Sequence, residues 1–299
     1  MGLLFGIDVG GTKIEGVVLD ENTPETPLFR HRIATEAEGG YEHILGRIAS
    51  LVAEMEHGVG QMTKAVGFGT PGVSDPKTGL MKNCNTVCLN GQPLVGDLGS
   101  LLERNVVLAN DANCFALAEA LMGAGKGAES VFGVILGTGV GGGIVIHGRV
   151  VAGTQGIAGE WGHNVLEPRG QQCYCGKRGC VETVLSGPAM ERYYSTLSGE
   201  NRKLSEIVER VKVDPAAAET IKRLTDNFGE AISVVVNILD PEVIVLGGGV
   251  GKIDALYDAG VESLGKRVFN DSLSTRVVRP MLGDSAGVFG AAFLTAANG

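Results

Sequence analysis

The chain has 299 residues, 44% of them hydrophobic, which is long enough for two domains with substantial cores. A net charge of −9 excludes a nucleic-acid surface built on clustered Lys and Arg, yet leaves room for an anionic small ligand held by backbone N–H groups. No apolar run reaches membrane-spanning length, and Asp8 cuts the apolar start Leu3–Ile7 before it resembles a signal peptide, so a cytoplasmic protein with no membrane partner is expected.

Glycine is the outlier, with 47 residues against a typical share of about 7%. The glycines cluster after apolar runs, at 10–11, 137–143 and 247–251, which argues for functional turns over flexible linkers. In chain order, Leu3–Ile7 reads as a buried strand and Gly16–Leu19 as its hairpin partner. Tyr41, Ile44, Leu45, Ile48, Leu51, Val52 and Met55 recur at helical spacing and predict an amphipathic helix. Ala65–Gly69 and Val106–Ala109 read as strands, the second running into Asn110-Asp111-Ala112-Asn113 and a helix over Ala112 to Met122. Ser130–Leu136 predicts a strand, followed by the Gly137–Gly143 run and a strand at Ile144–Ile146. Ser186 with Pro188, and Asp214 with Pro215, mark two helix starts, the second helix reaching about Leu239. Val243–Leu246 is a strand, 254–268 a helix, and Asp284 to about Ala297 a last helix. The strand–turn–strand opening occurs twice, at Leu3–Leu19 and Ser130–Ile146, which suggests two α/β domains with a cleft between them.

Gly137-x-Gly139-x-x-Gly142 matches a dinucleotide-binding fingerprint. That fingerprint needs a helix directly afterwards, and Ile144–Ile146 reads as a strand. Two Gly-Thr turns remain, Gly10-Gly11-Thr12 and Gly137-Thr138-Gly139, each offering backbone N–H groups and a hydroxyl suited to phosphates. Asp8, just before the first turn, is a candidate for holding Mg²⁺ directly or through water. Gly248 and Gly249, after a strand, permit close approach of a flat ring such as adenine. Asp111 stands where a strand hands over to a helix. Either it caps that helix, or it is a general base for a hydroxyl while Asn110 or Asn113 serves as the cap.

The densest chemistry lies between Gly159 and Glu182. His163, Cys173, Cys175 and Cys180 form a Cys₃His set, four donors of the kind that close a tetrahedral structural zinc site. Glu160 and Glu182 bracket this set, so a zinc-pinned loop would fix two carboxylates in a manner suited to a polyhydroxylated ligand. Cys84, Cys88 and Cys114 read as reduced thiols in packed positions.

Taken together and in order, Asp8–Lys13, Asn110–Asn113, the Gly137 run, Gly159–Glu182 and Gly247-Gly248-Gly249 resemble the ROK family of sugar kinases and repressors over nearly the whole chain. The resemblance implies an α/β, two-domain actin/hexokinase-like (ribonuclease H-like) fold with a central cleft. An N-terminal domain would span 1–119 and regain a C-terminal helix at 286–299. A larger domain over 120–285 would carry the zinc loop and dimerisation helices, making a homodimer. ATP, Mg²⁺ and structural Zn²⁺ are implied as cofactors, and a hexose as substrate. By the same resemblance Asp111 is the base, and Gly72, Asn85, Asn110, Glu160, His163 and Glu182 hold the sugar. His163 would divide its ring nitrogens between sugar and zinc. Asp8, Gly10, Gly11, Thr12, Lys13, Gly137, Thr138 and Gly139 would surround the phosphates and Mg²⁺, and Gly248 and Gly249 the nucleoside. Lys82-Asn83-Cys84-Asn85 and Leu89–Pro93 resemble fructokinase/mannokinase members, which makes phosphorylation of fructose or mannose at the 6-hydroxyl the first expectation. N-acetylglucosamine kinase or glucokinase is the alternative within the family. A non-catalytic sugar sensor is the alternative of another class; repressor members carry an N-terminal helix-turn-helix, whereas here the first strand starts at Leu3.

Overall fold

The computed structural model describes residues 2–296, and the chain forms two compact units. Unit 1 holds the described residues up to Gly127, Gly143–Ala158 and those from Leu282 onward; unit 2 holds Ala128–Gly142 and Gly159–Met281. Unit 1 opens with β1 (Leu3–Val9), β2 (Lys13–Asp20) and β3 (Phe29–Ala34), then α1 (Tyr41–Val59) and β4 (Ala65–Thr70). A short pair, β5 (Val73–Ser74) and β6 (Met81–Lys82), precedes α2 (Leu94–Leu102), β7 (Asn105–Asn110) and α3 (Asp111–Leu121). Unit 2 begins with β8 (Ser130–Leu136); β9 (Val140–Ile146) carries the chain back to unit 1 for β10 (Arg149–Val150). Unit 2 resumes through α4 (Glu182–Leu185), α5 (Gly187–Ser198), α6 (Leu204–Arg210), α7 (Pro215–Leu239), β11 (Val243–Gly247), α8 (Ala259–Gly265) and β12 (Arg276–Val278). Last comes α9 (Ala286–Phe293), in unit 1.

The sheet of unit 1 has the order β3-β2-β1-β4-β7, with β1, β4 and β7 parallel. Parallel strands deliver their C-terminal ends to one edge of a sheet, where ligands collect in open α/β folds. The register sets Asp8 beside Gly69, and Thr70 beside Asn110, so the carboxylates at 8 and 111 emerge from that edge. One face is covered by α1, which buries Ile44, Leu45, Ile48, Leu51, Val52 and Met55. Such side chains contribute about 1.5–3 kcal/mol each when fully buried. The helix stops at Gly60, whose left-handed backbone (φ 66°) lets its N–H donate to the carbonyls of Glu56 and His57.

Helix α9 packs against α3, β1 and β4. It does so at backbone distance, since a Cβ at Gly6 would lie 2.6 Å from the Val288 carbonyl oxygen, and one at Gly290 2.7 Å from Cys114 Cα.

In unit 2, β8, β11 and β12 are parallel neighbours, and the first residues of β9 lie on the other side of β8. Asp214 caps α7 by accepting the N–H groups of Ala216 and Ala217, with Pro215 at the first helical position. Its other oxygen accepts the Tyr194 hydroxyl of α5 at 2.7 Å, over a small core of Tyr194, Ile207 and Ala217.

Three expectations need correction. The predicted helix over 254–268 is a 3₁₀ turn at Asp254–Leu256 and then α8, because Asp258 (φ −108°, ψ −87°) breaks the spiral. The strand expected at Ile144–Ile146 begins at Val140, so Gly141–Gly143 belong to it. The last helix ends at Phe293, and residues 297–299 of the expected segment lie outside the described residues.

Candidate functional site

In unit 1 the first Gly-Thr turn joins β1 to β2. The Gly10 N–H donates to the Lys13 carbonyl at 2.9 Å, leaving Gly11, Thr12 and Lys13 at the surface. Thr35 clamps this turn from β3's end: its hydroxyl donates to the Gly10 carbonyl at 2.7 Å and its N–H to the Thr12 carbonyl at 3.0 Å. Lys13 Nζ lies 3.9 Å from Glu15, a buried carboxylate that also pairs with Arg30 at 2.6 Å and Arg32 at 2.7 Å. Asp8 is half-buried, and its pKa is pushed up to about 6, chiefly by desolvation and then by the like charges of Asp111 and Glu15.

The local structure separates the roles of Asn110 and Asp111. Asn110 is the cap of α3, its side-chain oxygen accepting the Asn113 N–H at 2.8 Å. Asp111 occupies the first helical position; it is exposed, and one carboxylate oxygen accepts the Ala112 N–H at 2.8 Å. Solvent reaches Asp111, while protein crowded around the carboxyl raises its pKa above the ordinary aspartate range. Beside Asn110, unit 1 has a cavity of about 360 Å³ whose walls include Val73, Val107, Leu117 and Arg149.

Gly72 fits only as glycine, since a Cβ there would lie 2.6 Å from the Lys82 carbonyl oxygen. Asn85 is exposed, on a loop held by Asn90, whose side chain accepts the Cys84 N–H at 2.9 Å and donates to the Cys84 carbonyl at 3.0 Å.

In unit 2 the second Gly-Thr turn links β8 to β9. The Gly137 N–H donates to the Gly139 carbonyl at 2.9 Å, and the Gly187 N–H, at the start of α5, donates to the Gly137 carbonyl at 2.8 Å. Thr138 is exposed at its tip. A strand follows, which removes the helix N-terminus a dinucleotide fingerprint requires. Gly248 has left-handed backbone (φ 82°), and a Cβ there would stand 3.0 Å from the Leu136 nitrogen; Gly249 is exposed with open space around it.

His163, Cys173, Cys175 and Cys180 come together, with their donor atoms all within 4.8 Å of one another. Cys175 and Cys180 sulfurs are 3.6 Å apart, and Cys173 Sγ is 3.7 Å from His163 Nδ1. The 3.6 Å between the two sulfurs is far too long for a disulfide and close to the roughly 3.8 Å sulfur–sulfur edge of a tetrahedron with Zn–S bonds of about 2.3 Å. The donor set fits zinc with all four positions supplied by protein. Trp161 anchors the approach to the loop, its indole N–H donating to the Gly141 carbonyl at 3.0 Å. Glu160 and Glu182 are both half-buried, and Glu182 Oε2 accepts the Val140 N–H at 3.0 Å. Tyr174 is an unexpected member: its hydroxyl lies 3.1 Å from His163 Nε2.

Thr35, Trp161 and Tyr174 were not singled out by sequence. Thr35 lies just past a strand the sequence did not reveal, and Tyr174 sits inside a cysteine pattern where the cysteines carry the signal.

The family model for the ROK family matches residues 4–298. An N-acetyl-D-glucosamine kinase of Aliivibrio salmonicida is 36% identical over 303 residues, covering 98% of this chain and 99% of its own. The crystal structure of a ROK hexokinase from Thermus thermophilus matches with a TM-score of 0.90 and 33% identity over 100% of both chains. A ROK family glucokinase from Streptomyces griseus, solved in complex with glucose and AMPPNP, matches with a TM-score of 0.77 and 30% identity over 98% of this chain and 99% of its own.

Proposed function

This chain belongs to the ROK family, and we propose that it is an ATP-dependent hexose kinase acting on the 6-hydroxyl, with N-acetyl-D-glucosamine as the favoured acceptor. The observation that carries the kinase reading is the division of labour at the head of α3. Asn110 takes the cap, which frees the Asp111 side chain of that duty, and crowding by protein raises its pKa, the direction a general base requires. Asp111 accepts the proton of the sugar hydroxyl as that oxygen attacks the γ-phosphorus of ATP; the phosphoryl group moves to the sugar and ADP leaves. Phosphoryl transfer asks a protein mostly for positioning and charge neutralisation.

Unit 1 contributes Asp8, which would hold Mg²⁺ directly or through water, and the Gly10–Lys13 turn, which would serve the phosphates. Mg²⁺ when bound neutralises phosphate charge. Gly72, Asn85 and Asn110 serve the sugar from the same unit. Unit 2 contributes Glu160, His163 and Glu182 to the sugar, Gly137–Gly139 to phosphate, and Gly248 and Gly249 to the nucleoside. Zinc held by His163, Cys173, Cys175 and Cys180 would be structural, since the four protein donors leave no open position.

The acceptor rests on a relative that is 36% identical over 98% of this chain, which favours N-acetylglucosamine over the fructose or mannose suggested by Lys82–Asn85 and Leu89–Pro93. Hexose-dependent ADP release with N-acetylglucosamine, glucose, mannose and fructose tests both levels. A highest kcat/KM for N-acetylglucosamine is expected. Fructose as best acceptor would overturn the specificity alone. Sugar binding without ADP release would replace the kinase by a sensor.

A further inference from the structure

Tyr174 lies between two of the candidate zinc ligands in sequence, Cys173 and Cys175, and the residue is 77% exposed. Such a side chain ordinarily points to water. Here it stands edge-on to His163, ring centroids 5.2 Å apart at 88°, with its hydroxyl 3.1 Å from Nε2. The other ring nitrogen, Nδ1, faces Cys173 Sγ at 3.7 Å. The imidazole is thus oriented with one nitrogen toward the metal donors and one toward the tyrosine. A metal-ligating imidazole is neutral, so once Nδ1 is committed, Nε2 carries the proton and acts as a donor. With the metal on Nδ1, the Tyr174 oxygen would be its acceptor.

On the function proposed above, that same Nε2–H is the group His163 offers to a sugar hydroxyl. A phenolic oxygen and a sugar hydroxyl oxygen are alike as acceptors, and one N–H serves one of them well. We propose that Tyr174 is a displaceable cap on the sugar-facing nitrogen of His163, a specificity-determining residue that a hexose must evict in order to bind. Its main chain is pinned by the flanking cysteines, so eviction needs only side-chain rotation into the solvent that already surrounds the ring. A sugar that places a hydroxyl at Nε2 replaces the lost bond; a ligand lacking that hydroxyl leaves the cap closed. The cap therefore screens ligands by one hydroxyl while costing affinity even for the right one.

Tyr174→Phe keeps the ring and removes the oxygen. Two measurements on the zinc-loaded full chain test the inference: calorimetric titration with N-acetylglucosamine and glucose, and the ¹⁵N resonance of His163 Nε2 in histidine-labelled protein. One neutral hydrogen bond has a net worth corresponding to roughly a two- to tenfold change in Kd. The expected result is a Kd lower by that factor in Tyr174→Phe, with the His163 Nε2 resonance of the sugar-free protein shifted by the substitution. Equal or weaker sugar affinity in the variant, or a His163 resonance indifferent to it, overturns the cap while leaving the kinase reading intact. Failure of both proteins to bind any hexose overturns the kinase reading and the cap with it.

Discussion

Glu182 Oε2 accepts the backbone N–H of Val140 at 3.0 Å, tying the residue that closes the cysteine loop to the turn that opens β9. The packing is close enough that a Cβ at Gly139 would lie 2.7 Å from the same oxygen. A residue assigned to the sugar therefore also holds the Gly137–Gly139 turn assigned to phosphate. Glu182→Ala should raise KM for hexose and for ATP together. A hydrogen bond to a charged group is worth about 1.5–3 kcal/mol, which corresponds to roughly 10- to 150-fold. Glu182→Gln, which keeps an acceptor oxygen, should retain more of the ATP affinity than of the hexose affinity. Steady-state kinetics with each substrate varied in turn would show it, and an unchanged ATP KM in the alanine variant would break the link.

Asp111→Asn should lower kcat by about 10²–10⁴-fold while hexose still binds, because the amide cannot accept the proton. The substitution leaves the Asn110 cap in place, so α3 should keep its start. Calorimetry for sugar binding beside a coupled ADP assay separates the two effects. Turnover near that of the parent would remove Asp111 from the chemistry.

Cys175→Ser, or chelation of the parent protein, should lower zinc content, thermal stability and hexose affinity together. The metal would fix His163 and the loop ending at Glu182; weakening even the outer support of a metal site typically costs about 10–100-fold in metal affinity or activity, and a loss of hexose affinity on at least that order is expected here. Zinc added back to the chelated protein should restore all three, and full hexose affinity in a demonstrably zinc-free sample would refute the coupling.

Asp8 predicts a pH dependence of stability. Its folded pKa of about 6 lies above the ordinary value of 3.8, so the folded state binds the proton more tightly than the unfolded one. The stabilisation is complete below the unfolded value and is lost as pH rises through the folded one. The ligand-free protein should therefore weaken between about pH 4 and 6, by at most about 3 kcal/mol from this group. Asp8→Asn should flatten that slope and raise Tm at neutral pH, while abolishing ATP turnover. Denaturant unfolding of both proteins at pH 4, 5, 6 and 7 reads the difference; parallel pH profiles would contradict it.

Much of this molecule was legible from residue order. Asp214 before Pro215 and Ser186 before Pro188 announce α7 and α5, because a cap and a proline act within one turn of chain. The Cys₃His set declared itself by spacing, and its donors do converge. What stayed hidden depends on partners far along the chain. Strand β3 reads as polar because it is an edge strand whose Arg30 and Arg32 reach the buried Glu15 on β2. Helix α2 starts after Pro93 without a side-chain cap and contains Gly96 and Gly99, so no local rule marks it. The choice between cap and base at Asn110-Asp111 needed the observed Asn113 contact. The neighbour of His163 is decided by where Tyr174 turns its ring, which no spacing encodes.

The place of α9 bears on how the polypeptide is made. This helix, Ala286–Phe293, is translated more than 200 residues after β1 and β4, yet it seats against both strands. The two strands must wait, with the apolar surface reserved for that helix uncovered, until the chain has been made as far as Phe293. Nascent chains stalled before residue 286 should accordingly be held by chaperones or degraded, whereas unit 2, whose own segments end at Met281, is free to fold first.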